Sequence, residues 1–139
     1  QVADMEGEQG TTDRARLEYI HLHKTSDLIM FSLIAGGRTA GASANQLEAL
    51  RTFGHGIGLA FQIQDDILDL VGDESKLGKK TQSDVKMEKV TYPFLIGLDA
   101  SREEVRRLTE EAKSAVDQAQ LQSTEILFAI ADYLVERDR

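Results

Sequence analysis

Between Asn45 and Val71 the chain repeats apolar residues at helical spacing and holds no proline, which commits that stretch to one long helix through Leu47, Leu50, Ile57, Phe61, Ile67, Leu68 and Val71. Asn45 with Glu48 three residues later has the form of a capping box at its start. The one proline of the chain is Pro93, and no segment sustains the two-residue alternation of a strand, so the expected fold class is all-α, a helical bundle. A preceding helix is expected from Thr12 or Asp13 to about Ala35, with Leu17, Ile20, Lys24, Leu28 and Phe31 on one stripe and Gly36-Gly37 as its stop. Residues 72–83 lack apolar periodicity and read as a polar loop. Asp84 is expected to cap a helix through Leu98 that Pro93 starts or bends. Ser101 with Glu104 reads as a second capping box, leading a helix through Val105, Leu108, Ala112, Val116 and Ala119, and Thr124 to about Arg137 forms the last helix. Gly54, Gly56 and Gly58 weaken the long helix, so their expected use is close approach to a neighbouring one.

The long helix also carries an electrostatic cost. Gln62-Ile63-Gln64-Asp65-Asp66-Ile67-Leu68-Asp69 places three carboxylates close together among apolar residues. Asp65 and Asp69 stand at i and i+4, Asp66 and Asp69 at i and i+3, so all three are expected to converge on one point. Like charges at that spacing destabilise a helix, whereas a hard divalent cation turns the cost into affinity. A helix offers too few oxygens to enclose Ca²⁺, which leaves Mg²⁺ completed by water and phosphate oxygens, with Mn²⁺ as a substitute. The spacing excludes an EF-hand, a P-loop and a dinucleotide-binding glycine motif: Lys79 is followed by Lys80 where a P-loop needs Ser or Thr, and Leu59 stands where the third glycine belongs. Lys24 interrupts an apolar stripe, and an amine facing a core requires a partner. A diphosphate held between lysines and a carboxylate-bound Mg²⁺ supplies one. His21 and His23 point to different faces, so they and His55 are read as structural or surface residues.

Composition narrows the partners. The 139 residues suit one domain, and 24 acidic against 16 basic side chains give a net charge of −8 that disfavours wholesale nucleic-acid binding. There is no cysteine, hence no disulfide, thiolate metal site or cysteine nucleophile, as suits a cytoplasmic protein. Apolar runs such as that from Leu28 to Ala35 fall short of the ~20 residues a membrane span requires. The first residue, Gln1, is not Met, so the chain reads as a fragment whose missing part would cover some of its surface.

Taken together, several segments resemble the trans-prenyl diphosphate synthase family, bacterial farnesyl or geranyl diphosphate synthase type. They are Gln1-Val2-Ala3-Asp4, His23-Lys24-Thr25, Gly58 through Asp69 (the family's second aspartate-rich motif, FQxxDDxxD), Leu77-Gly78-Lys79, Asp84 and Lys89-Val90-Thr91-Tyr92-Pro93, in the family's order. The resemblance implies the C-terminal half of the isoprenoid synthase fold, ending at the family's own C-terminus, with the N-terminal half and its first aspartate motif absent. It implies Mg²⁺-dependent condensation of isopentenyl diphosphate with an allylic diphosphate, farnesyl diphosphate being the expected product and a homodimer the expected assembly of the full-length enzyme. On the same resemblance Asp65 would ligate Mg²⁺ directly, while Asp66, Asp69 and Asp84 act mainly through its waters. Lys24 and Lys79 would hold the leaving diphosphate. The Lys24 carbonyl, Thr25 hydroxyl and Gln62 side-chain oxygen would face the carbocation, Phe61 would lie along the isopentenyl chain, and Lys89 would help close the site. Gln1 and Asp4 would support the metals and Lys24 from behind. The fragment alone is expected to be inactive, because groups that act as a unit do not lose function in proportion. The alternatives are a non-catalytic helical interaction module, or a regulatory subunit of a prenyl synthase.

Overall fold

The computed structural model describes residues 14–77 and 91–136, with only the backbone for 73–77. Among these residues every regular element is helical. In chain order they are α1 (Arg14–His21), a π turn (Leu22–Ser26), α2 (Asp27–Thr39), α3 (Ala44–Leu77), α4 (Tyr92–Ile96), α5 (Leu98–Gln118) and α6 (Glu125–Val135). None of them is long and apolar enough to cross a membrane. The long helix α3 is the spine, packing most extensively against α5 and then against α2. Its apolar positions join two clusters. Leu59, Ile63 and Ile67 meet Leu17, Val105 and Val135 at one end, while Phe53 and Ile57 meet Ala112, Val116 and Ala131 at the other.

The first expected helix is present but longer and out of phase. The π turn inserts one residue between α1 and α2, and each residue of a helix turns the chain by about 100°. The stripe read as continuous is therefore cut at Lys24. Leu17 and Ile20 before the turn are buried, whereas Leu28 and Phe31 after it are each 71% exposed. Lys24 itself is exposed rather than core-facing, which corrects the expectation that it enters the core. Gly36-Gly37 does not stop the helix, because Gly37 is used for approach to α3: a Cβ there would lie 2.6 Å from Leu50 Cδ1. The helix ends instead after Thr39, where Gly41 takes φ +77.

Three other boundaries move for local reasons. The α3 box is made by Ser43 and Gln46, not Asn45 and Glu48: Ser43 N–H donates to Gln46 Oε1 at 3.0 Å and Gln46 N–H donates to Ser43 Oγ at 3.3 Å. We expect Ser43→Ala to lower stability by about 1 kcal/mol, measured by urea denaturation. At its other end α3 runs past Gly72 to Leu77, into residues read as loop. Gly97, at φ +88, breaks the helix expected to reach Leu98, so α4 stops at Ile96 and α5 starts at Leu98. Ser101 consequently sits one turn inside α5, its hydroxyl donating to the Gly97 carbonyl at 2.8 Å. The last helix falls where expected, and its Ile126, Ile130 and Tyr133 form an exposed row at i, i+4 and i+7.

The three glycines of α3 do what their spacing suggests. A Cβ on Gly54 would lie 2.9 Å from Met30 Cα on α2, one on Gly56 would lie 3.2 Å from the Leu108 carbonyl oxygen on α5, and one on Gly58 would lie 2.6 Å from Ser26 Cα in the π turn. Glycine thus lets α3 touch three neighbouring elements on two sides. The closest of these contacts is with the turn that carries Lys24 and Thr25.

Candidate functional site

Two rows of α3 define the site. Phe61, Asp65 and Asp69 recur every four residues and share one face, with Phe61 and Asp65 half-buried and Asp69 exposed. Gly58, Gln62 and Asp66 form the adjoining row, and all three are buried. That inner row runs along the π turn and the end of α1: Gly58 abuts Ser26, and Asp66 Oδ2 lies 3.6 Å from His21 Nε2. Gln62 sits between them, on the side of α3 that looks at the turn bearing Lys24 and Thr25. The π turn that carries Lys24 and Thr25 packs against α3 at Gly58, on the row that Gln62 shares, and Asp65 and Asp69 lie on the next face round.

The convergence of all three aspartates is corrected. Asp66 is only 3% exposed, and its Oδ2 accepts the Tyr92 backbone N–H at 3.0 Å. Consecutive helical residues point about 100° apart, so Asp65 and Asp66 face different surroundings even though both are near Asp69 in sequence. Among the described residues no group of three His, Cys, Asp or Glu side chains is placed to hold a metal ion. Asp65 and Asp69 fit Mg²⁺ by their chemistry, being hard oxygen donors on an accessible face, and they would form part of a shell completed by water and phosphate. Asp66 instead anchors the start of α4. We expect Asp66→Ala to cost about 1–3 kcal/mol in thermal or urea unfolding, because the buried Tyr92 N–H loses its acceptor, and Asp66→Asn to cost less because it keeps an oxygen there. Gln1, Asp4, Lys79, Asp84 and Lys89 lie outside the described residues.

The π turn carries two of the candidate residues, Lys24 and Thr25. Inserting a residue into an α-helix breaks the regular carbonyl ladder, and such bulges occur frequently at functional positions. Lys24, on this turn, is exposed rather than buried. Thr25, next to it, is half-buried.

Sequence reasoning missed the buried polar cluster beneath this turn. Tyr92 is fully buried, its hydroxyl donates to Glu18 Oε1 at 2.6 Å, and its ring stacks on His21 with centroids 5.8 Å apart. Arg14 donates to Glu18 at 2.8 Å and to Glu104 of α5 at 3.0 Å. Burial raises the Tyr92 phenol well above its ordinary pKa, and the Glu18 carboxylate that accepts its proton raises it further. Burial opposes ionisation of Glu18, but hydrogen bonds from Arg14 and Tyr92 outweigh it and hold that carboxyl below its usual range. His21 is thus structural, as read, while His23 and His55 are exposed. The one sequence signal for Tyr92 was its place in Thr91-Tyr92-Pro93, a helix start in which extended Thr91 accepts the Phe94 N–H and Pro93 occupies the first turn.

Comparison with known proteins places the chain in a family. Residues 1–129 match the family model described as polyprenyl synthetase. The chain is 42% identical to the farnesyl diphosphate synthase of Bacillus subtilis over 99% of its own length and 46% of that protein. It is 41% identical to the chloroplastic geranylgeranyl pyrophosphate synthase of Catharanthus roseus, over 88% of this chain and 34% of that one. Among solved structures, the geranyltransferase of Helicobacter pylori, complexed with magnesium and isoprenyl diphosphate, superposes with a TM-score of 0.70 at 29% identity, covering 98% of this chain and 44% of that one. The chain spans less than half the length of these relatives.

Proposed function

The chain belongs to the polyprenyl synthetase family, and from that membership we propose that its complete gene product is a Mg²⁺-dependent prenyltransferase joining isopentenyl diphosphate to an allylic diphosphate. The product we propose is a short-chain prenyl diphosphate, farnesyl diphosphate first. The observation that supports this reading is an exposed Lys24 on a π turn that packs against α3 at Gly58, with Asp65 and Asp69 on an adjoining face of the same helix. In this reading the crossing offers a cation for diphosphate, uncharged oxygen dipoles and paired carboxylates.

The chemistry breaks the allylic C–O bond, with the electron pair leaving on diphosphate. The alkene of isopentenyl diphosphate then attacks the carbocation, and a proton is lost to the released diphosphate. Separating those charges is the barrier, so the protein's main contribution is electrostatic. Asp65, together with Asp69, would hold Mg²⁺, which when bound would supply positive charge against the leaving group. Lys24 binds the same diphosphate and offsets its growing charge. The Thr25 hydroxyl and the Gln62 amide oxygen present negative dipole ends to the carbocation without a nucleophile strong enough to trap it. A carboxylate at position 62 would be buried on the inner row, so glutamine also avoids the cost of an unpaired buried charge. Phe61 lies beside Asp65 on the outer row and excludes water from the isopentenyl chain. We carry Lys79, Asp84 and Lys89 over as further diphosphate and metal contacts, and Gln1 and Asp4 as their supports.

The rival reading, a non-catalytic interaction module, has one observation in its favour: the exposed apolar rows Leu28 with Phe31 and Ile126 with Ile130 and Tyr133. Turnover separates the two. The complete gene product, assayed with dimethylallyl and isopentenyl diphosphates, is expected to form C10 or C15 diphosphate with Mg²⁺ and none with a chelator. Absence of product in both conditions would sink the prenyltransferase reading.

A further inference from the structure

The chemistry proposed above uses Lys89 from the segment that ends at Pro93 and leaves Tyr92 without a role. Yet Tyr92 touches both sides of the site at once. Its backbone N–H reaches Asp66 on α3 at 3.0 Å, and its hydroxyl reaches Glu18 on α1 at 2.6 Å. Asp66 adjoins Asp65, and α1 runs directly into the π turn that carries Lys24. The ring between the two bonds is fully buried and stacked on His21, the last residue of α1, so the brace has no slack. Glu18 is fixed in turn by Arg14, which also binds Glu104 on α5.

We propose that Tyr92 is a positioning residue for the diphosphate site, a rigid cross-brace whose two hydrogen bonds hold the Lys24 turn and the Asp65 helix at a fixed separation. The inference rests on the prenyltransferase reading, since it concerns the geometry of that site. Apolar packing explains a buried aromatic ring but not the second bond. A buried Tyr hydroxyl needs only some acceptor, and here the acceptor is an ionised carboxylate on the helix that feeds the lysine turn, which makes the bond short and charge-assisted. In the proposed function Lys24 would hold the diphosphate directly and Asp65 through Mg²⁺, from two elements, so an error of about 1 Å between those elements would reach the reacting bond directly.

The test uses the complete gene product with Tyr92→Phe, which removes one hydroxyl and keeps the ring, together with Glu18→Ala and Glu18→Gln. Two quantities are read per folded molecule: turnover, and Mn²⁺ affinity in the presence of inorganic diphosphate, followed by electron paramagnetic resonance. Tyr92→Phe and Glu18→Ala are each expected to lower kcat by about tenfold and to weaken Mn²⁺ binding, with KM for isopentenyl diphosphate little changed. The double variant should be no worse than either single one, and Glu18→Gln, which keeps an oxygen acceptor but loses the charge, should restore both quantities only in part. Tyr92→Phe with kcat and Mn²⁺ affinity within twofold of wild type overturns the proposal. So does a loss of turnover that follows only the loss of folded protein while Mn²⁺ affinity per folded molecule stays constant. A wild type that neither turns over nor binds Mn²⁺ with diphosphate overturns the functional reading, and this inference with it.

Discussion

Asp65→Ala in the complete gene product is expected to lower turnover by about 10²–10³-fold. Asp65 lies half-buried on the outer row of α3, four residues from Asp69. Its removal would take away an anionic oxygen donor for Mg²⁺ in a place where the barrier is set by charge separation. The loss should therefore appear in the Mg²⁺ dependence of kcat, unlike at Asp66, where the carboxylate serves a buried peptide N–H and stability should fall as well. Assays of kcat against Mg²⁺ concentration, paired with thermal unfolding without the metal, make the comparison. An Asp65→Ala variant that keeps turnover within threefold of wild type would remove Asp65 from the site.

The largest expected loss of stability comes from Gly58→Ala. In an unencumbered helix this change is favourable by about 1 kcal/mol, because alanine is the better helix former. At position 58, however, a Cβ would come within 2.6 Å of Ser26 Cα, and the atom it meets is backbone that cannot rotate aside. Overpacking of that kind costs about 1–3 kcal/mol or more, so the clash wins. Gly56→Ala supplies the control on the same helix. Its nearest contacts, Ala112 Cβ and the Leu108 carbonyl oxygen, are both at 3.2 Å, and the propensity gain largely offsets the strain. Urea denaturation should rank Gly58→Ala well below Gly54→Ala and Gly54→Ala below Gly56→Ala. Equal stability for the Gly58 and Gly56 variants would mean that the π turn is not pressed against α3. Because Ser26 closes the turn that carries Lys24 and Thr25, the Gly58 variant should also lose turnover beyond what its unfolded fraction explains.

Much of this was legible along the chain. The period of Leu47, Leu50, Ile57, Phe61 and Ile67 specified a long helix, and the structure has it from Ala44 to Leu77. The three glycines announced close crossings, and each one meets a neighbouring helix or turn. The aspartate run with Lys24-Thr25 and Lys89 through Pro93 identified the family that the comparison with known proteins supports. What failed did so at element ends and in facing. Ser43, not Asn45, caps α3, because a capping box is decided by which side chain meets which N–H, and both candidates have suitable chemistry.

The sequence by itself determined the helical class, the glycine crossings and the family, since these depend on residue type and on spacing along the chain. Only the tertiary structure decided the facing of the candidate polar groups. A single inserted residue at Leu22–Ser26 turned Leu28 and Phe31 out to 71% exposure and set Lys24 in solvent, and no local period encodes that shift. Asp65 and Asp66 are the same residue type in adjacent positions. Asp66 became the buried one because the Tyr92 N–H, 26 residues further on, and His21, on another helix, meet its carboxyl group there. A polar side chain goes inside only where partners await it, and those partners come from parts of the chain that folding brings together.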